Sequence, residues 1–168
     1  MTSVLFRVLF LSFLFFVISS CSSDNPELPT LAATSYQKIV DYNYNTSEIE
    51  TLNLINTYRV SIGLNSLGKI NYISLKSEEH NNYMIINNVV DHNDFLARSE
   101  NIMNVLGAKS VSENIAYNYN SSQSVLNAWL ASPEHKKNIE GSFTHFGIAI
   151  RVNPSTGKKY YTNIFAKI

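Results

Sequence analysis

The chain has 168 residues, 45% of them hydrophobic and 15% charged, with a formal net charge of +0. That composition fits one globular domain plus an appendage, and the lack of a basic patch excludes nucleic acid as the expected partner, because phosphate binding needs clustered Lys and Arg. With 10 Tyr and 9 Phe the core can be built from large aromatic side chains; the single Cys rules out an intrachain disulfide.

At the N-terminus Arg7 precedes the unbroken apolar run Val8 to Ile18, too short for a membrane span and readable as a secretory signal. Ile18-Ser-Ser-Cys21 looks like a bacterial lipobox, which implies a signal peptide over 1–20 and lipidation of Cys21 as the first mature residue. Several acyl chains on one terminus anchor it to a membrane, each buried CH₂ adding about 0.8 kcal/mol. Ser22 after Cys21, where an Asp would resemble an inner-membrane retention signal, points to the outer membrane of the cell envelope. Residues 21–45 read as a tether, polar and proline-bearing at first. The stretch from Leu31 to Asn45 stays open between linker and first strand, since Tyr36, Ile39, Val40, Tyr42 and Tyr44 are apolar for a tether.

From Thr46 the pattern becomes helical. Ser47 and Glu50 have capping-box spacing, and Ile49, Leu52, Ile55, Tyr58 and Ile62 recur on one face before Gly63 offers a stop. Ile73, Ser77, His80 and Met84 carry a second helix that ends near Asn88. His80 lies on its inner face and reads as a hydrogen-bonded wall residue, whereas His92 sits in the polar loop Asp91-His-Asn-Asp94, the better place for a ligand contact. A third helix is predicted from Leu96 to Leu106, closed by Gly107, and Val111 to Tyr117 alternates as a strand that places Glu113 and Asn114 among apolar neighbours.

Ser122 is read as the cap of a fourth helix carrying Val125, Leu126, Trp129 and Leu130. Ser132-Pro133 then sets a cap hydroxyl before a ring already at helical φ, so a short helix starts there with Glu134 and His135 in its first turn. Phe146 to Val152 and Lys159 to Ala166 are β-rich and flank the reversing loop Asn153 to Gly157, a terminal antiparallel hairpin. Helices first and strands last imply an α+β fold with an antiparallel sheet covered by helices.

Taken in order, Asn56-Thr-Tyr-Arg59, Met84, Asp91-His92, Ser112-Glu-Asn-Ile-Ala116, Trp129, Ser132-Pro-Glu-His135, Asn138-Ile139 and Phe143-Thr-His-Phe-Gly147 resemble the CAP superfamily. This is the family of cysteine-rich secretory proteins, venom antigens, plant pathogenesis-related proteins and a bacterial branch. The resemblance spans 46–168 and implies a three-layer α-β-α sandwich with a central antiparallel sheet. It further implies a cleft lined by two His and two Glu, the two His binding a metal in some members. Here His92 falls on the first His, Glu113 on one Glu and His135 on the second. Ser132 occupies the place of the other Glu, and Glu134 stands close enough in sequence to substitute for it.

The expected cleft is therefore His92, Glu113, Asn114, Ser132, Glu134 and His135. His92 and His135 are the candidate metal ligands, for zinc or another divalent cation, and Glu113 and His135 the candidate catalytic groups. Two imidazoles fall short of the three protein ligands of a usual catalytic zinc. No Gly-x-Ser-x-Gly elbow, His-Glu-x-x-His helix or Cys nucleophile in the mature part accompanies them. Ser132 is better explained as a helix cap than as a nucleophile. The reading with most weight is a surface-tethered, non-catalytic domain binding a small ligand, a metal or a partner protein through the cleft. The alternative is a metal-assisted, peptidase-like hydrolase using His92, Glu113 and His135.

Overall fold

A computed structural model describes residues 40–168. The expected signal peptide, Cys21 and most of the tether lie outside the described residues. The elements run α1 (Thr46–Ser61), β1 (Gly68–Lys69), α2 (Asn71–Asn87), α3 (Phe95–Leu106), β2 (Ser110–Tyr117), α4 (Ser122–Ala131), α5 (Pro133–Ile139), β3 (His145–Val152) and β4 (Lys159–Lys167). The strands form one sheet in the order β1-β3-β4-β2.

The hairpin β3–β4 and the pair β2–β4 are antiparallel, as expected, but β1 pairs parallel with β3. The sheet is thus mixed, a correction to the all-antiparallel expectation. Only Gly68 and Lys69 take part, so β1 is too short to show any alternation.

Side chains on opposite faces of each strand build two cores. Phe146, Ile148, Ile150, Tyr161 and Phe165 pack with Leu52 and Ile55 of α1, Val125 and Trp129 of α4 and Ile139 of α5. On the other face Ile164 and Ala166 meet Tyr72 and Ile73 of α2 and Ile102 and Leu106 of α3. This is the three-layer α-β-α sandwich, each fully buried Ile or Phe contributing about 1.5–3 kcal/mol. Gly147 lets α2 settle directly onto β3. A Cβ there would stand 2.4 Å from the Ser74 backbone nitrogen and 2.7 Å from the Ile73 carbonyl carbon.

Three caps differ from expectation. α1 is capped by Asn45 and Glu48, the two halves of a capping box, and not by Ser47 and Glu50. α4 is capped by Ser121 with Ser124, one residue before Ser122. Ser132 is the N-cap residue of α5 but makes no capping bond with its side chain. Val40 to Asn45 forms no strand. Tyr42 is nonetheless buried, and its hydroxyl donates to Glu48 Oε1 at 2.9 Å. Glu48 is fully buried and also accepts from the backbone N–H of Asn45 and of Ile150, and from Arg151 Nη1 at 2.6 Å. One carboxylate therefore holds the segment before α1 against β3.

Candidate functional site

The site is assembled along β2, which forms one edge of the sheet. Adjacent residues of a strand point to opposite faces. Glu113, opposite Ile164 of the α2–α3 core, faces that layer, and Asn114, opposite Asn163, faces the other. One short strand thereby supplies a carboxylate to one helical layer and an amide to the other.

Glu113 is nearly inaccessible, its side chain only 1% exposed, and carries a dense set of donors. Arg98 of α3 binds it in bidentate fashion, Nε to Oε2 at 2.8 Å and Nη2 to Oε1 at 3.0 Å. His92, presented by the loop between α2 and α3, places Nδ1 2.8 Å from Oε1. His80 of α2 stands behind, Nε2 3.9 Å from the same oxygen. Burial pushes the Glu113 carboxyl up, but the bonds from His92 and Arg98 outweigh it and the net direction is downward. The group is a carboxylate at neutral pH with its charge spent on Arg98 and His92.

His80 is itself buried. Its Nε2 lies 2.8 Å from the Asp91 carbonyl oxygen; a carbonyl only accepts, so Nε2 carries the proton and Nδ1 is left as a buried acceptor without a partner among the described residues. Burial holds its pKa below the ordinary 6.5, with the Glu113 charge opposing. His80 thus fixes the Asp91 carbonyl and so the root of the His92 loop. The wall-residue reading holds, although its hydrogen-bond partner is a loop carbonyl invisible to helical spacing.

On the other side of the edge, α5 delivers His135. Its carbonyl oxygen accepts from Asn114 Nδ2 at 3.0 Å, and Asn138 Nδ2 donates to Asn114 Oδ1 at 2.8 Å and to the Glu113 carbonyl at 3.2 Å. Trp129 Nε1 donates to the Ile115 carbonyl at 2.9 Å. The Trp and Asn of the sequence pattern thus lash α4 and α5 to the outward carbonyls of β2. The imidazole of His135 is half-buried, and burial first, then the His92 charge, lower its pKa. His135 Nδ1 is 2.9 Å from Ser132 Oγ. That contact is why Ser132 fails as a side-chain cap: its hydroxyl orients the imidazole instead.

Of the expected cleft residues, His92 and Glu113 touch, and His135 is held by Asn114 through its backbone carbonyl and by Ser132 through its ring. Glu134 makes no ion pair or hydrogen bond among the described residues; its influence is a charge that raises the His135 pKa. Arg98 is the member of the Glu113 network that sequence reasoning missed. An Arg one turn into a helix reads as surface charge, and only the fold reveals that Glu113 lies beneath it.

A metal would have to use His92 and His135 through Nε2, because Glu113 is already engaged. Among the described residues no group of three or more His, Cys, Asp or Glu side chains is arranged to hold a metal ion. The donor set does not fit a three-ligand catalytic zinc.

A four-stranded sheet between two helical layers, with a Glu on its edge strand bonded to a loop His and a Trp and a Ser-Pro-Glu-His turn lashed to the same strand, defines a protein of the CAP sandwich class. Residues 52–165 match the model of the cysteine-rich secretory protein family, CAP, and the chain belongs to that family. It is 31% identical over 131 residues to the uncharacterized membrane protein YlbC of Bacillus subtilis (strain 168), covering 73% of this chain but only 35% of that protein's length. Among solved structures it is similar to an outer surface protein of Borrelia burgdorferi, at 18% identity and a TM-score of 0.63, over 76% of this chain and 98% of the other. An extracellular SCP-domain protein of Bacillus anthracis matches at 24% identity and 0.63, over 73% and 40%. The venom allergen-like protein 4 of Schistosoma mansoni matches at 12% identity and 0.60, over 74% and 90%. These likenesses bear on the fold, which bacterial and animal members share.

Proposed function

We propose that the protein is a non-catalytic binding module of the cell envelope, tethered through lipidated Cys21 at the outer membrane, that engages a small ligand or partner protein through the cleft between His92 and His135. The observation that carries this reading is the state of Glu113. A general base needs a carboxylate free to take a proton, and this one is clamped by Arg98 through two hydrogen bonds. The position that would hold a second carboxylate is Ser132, whose hydroxyl is committed to His135.

What is left for a ligand is a pair of imidazole edges suited to hydrogen-bond or weak metal contacts and backed by a rigid polar network. Relatives described as an outer surface protein, an extracellular protein and a membrane protein support a place outside the cytoplasm. The metal-assisted hydrolase reading finds no third ligand and no free base among the described residues.

The test is hydrolysis of fluorogenic peptides and of cell-wall fragments by the purified protein, together with zinc titration. The expected result is no turnover above the His135→Ala variant and, at most, weak zinc binding lost in His92→Ala. Turnover abolished by His135→Ala at an unchanged melting temperature overturns the proposal.

A further inference from the structure

A groove beside the Glu113 network, sharing His80 and Arg98 with it but lined by neither His92 nor His135, runs between α2 and α3, and we propose that it binds a neutral saccharide segment seated against the ring of Tyr83. The cavity is about 310 Å³, at the small end of the roughly 300–1,000 Å³ of small-molecule sites. Its α2 wall is one helical stripe, Lys76, Glu79, His80 and Tyr83, and the opposite wall is formed by Asn93, Asp94 and the α3 stripe Ala97, Arg98 and Asn101. Facing helices normally meet through apolar side chains. Here the facing stripes are polar, and Ala97 leaves space where a larger residue would close the gap.

Three properties select the ligand class. First, both cations of the lining are committed, and one carboxylate is left over. Lys76 Nζ pairs with Glu79 Oε2 at 2.7 Å, Arg98 is spent on Glu113, and Asn93 Nδ2 donates to Asp94 Oδ2 at 3.0 Å. A phosphate finds no uncommitted cation in this lining, Asp94 has only the neutral Asn93 amide as its side-chain partner, and no metal-ligating group of three exists among the described residues.

Second, each of these partners leaves another atom over. Glu79 Oε1, Asp94 Oδ1 and Asn93 Oδ1 remain as acceptors. Asn101 uses Oδ1 to accept from Tyr72 and keeps its NH₂ as a donor. A ligand that must give and take hydrogen bonds at neighbouring atoms is a polyol, since every hydroxyl does both. Third, the Tyr83 ring lies almost parallel to the His80 imidazole, at 10° with centroids 5.9 Å apart. The buried imidazole backs the half-exposed phenol, fixing one flat wall on which the C–H face of a sugar ring can lie.

The probes are chitotriose, cellotriose and maltotriose, titrated into the isotope-labelled full chain in a sugar-free zwitterionic detergent and followed by amide and side-chain NMR. At least one should shift the signals of Tyr83, Asn93 and the Asn101 NH₂. Tyr83→Ala should weaken that binding at least tenfold and Tyr83→Trp restore it. Glu79→Gln, at a side chain 52% exposed and so harmless to folding, should weaken it severalfold, which keeps the test sound if Tyr83→Ala misfolds. His135→Ala should leave it unchanged, so failure of the cleft proposal and failure of this one are told apart. No shift with any of the three sugars at saturating concentration, shifts mapping elsewhere, or full affinity in folded Tyr83→Ala overturns the assignment.

Discussion

Replacing Arg98 by Met tests the central claim about the site, that Glu113 is an ion held by its partner and not a reactive base. The guanidinium side chain is 9% exposed and the carboxylate 1%. Methionine keeps much of the volume but strips two hydrogen bonds and a charge from a group that water cannot reach. Removing one member of a buried ion pair costs about 3–5 kcal/mol, and with His92 still bonded to Oε1 the lower end applies, about 3 kcal/mol. At about 2–4 °C per kcal/mol for a chain of this size, the melting temperature should fall by roughly 6–12 °C.

The pH dependence gives the sharper check. In the wild type the Glu113 pKa is depressed below its ordinary 4.5; its contribution is complete above that value and fades as pH falls through the folded pKa. In Arg98→Met, burial is no longer offset and the folded pKa rises above the unfolded one. The deficit is then full at neutral pH and shrinks as acid neutralises the stranded carboxylate. Adding Glu113→Leu should recover most of the loss at neutral pH. Urea unfolding followed by circular dichroism between roughly pH 7.5 and pH 4.5 measures all three. A deficit below about 1 kcal/mol, or one independent of pH, refutes the reasoning.

Other outcomes follow from the same geometry. Glu48→Gln removes the charge that Arg151 and two backbone amides share; it should cost about 2 kcal/mol and speed amide exchange at Asn45, read by hydrogen exchange. Gly147→Ala sets a methyl against α2 backbone and should destabilise by about 2–3 kcal/mol in the same urea assay. Burial depresses the pKa of both His80 and His135, so the unfolded chain binds more protons below the ordinary value of 6.5. Stability should fall as pH drops from about 7.5 towards about 5.5, and His80→Gln should flatten that slope in a pH series of melts.

Much of the framework was legible from periodicity and punctuation. The apolar rhythm of α2, the Gly107 stop after α3 and the paired β-rich runs of the terminal hairpin needed no tertiary information. The caps were less secure because Asn45-x-x-Glu48 and Ser47-x-x-Glu50 compete within a few residues. What decides between them is Ile150 and Arg151, which draw Glu48 inward from more than a hundred positions away. Ser132 was misread for a related reason, since a hydroxyl three residues before an imidazole can serve either the helix end or the ring. His92, Glu113 and His135 were recognisable from their order in the family pattern, but Arg98 was not. Its importance lies wholly in the carboxylate that the sheet slides underneath it.

Both borders of the sheet are closed to outsiders. On one side β1 offers only two residues; on the other the indole of Trp129 and the amide of Asn138 sit on outward carbonyls of β2, where an incoming chain would have to bond. An intruding strand must evict a fully buried indole before it gains a single rung, which guards against the edge-to-edge growth that leads to fibres. Where many copies crowd together, they should therefore meet through helices and loops, and their solubility should depend on Trp129 more than its distance from the surface would suggest.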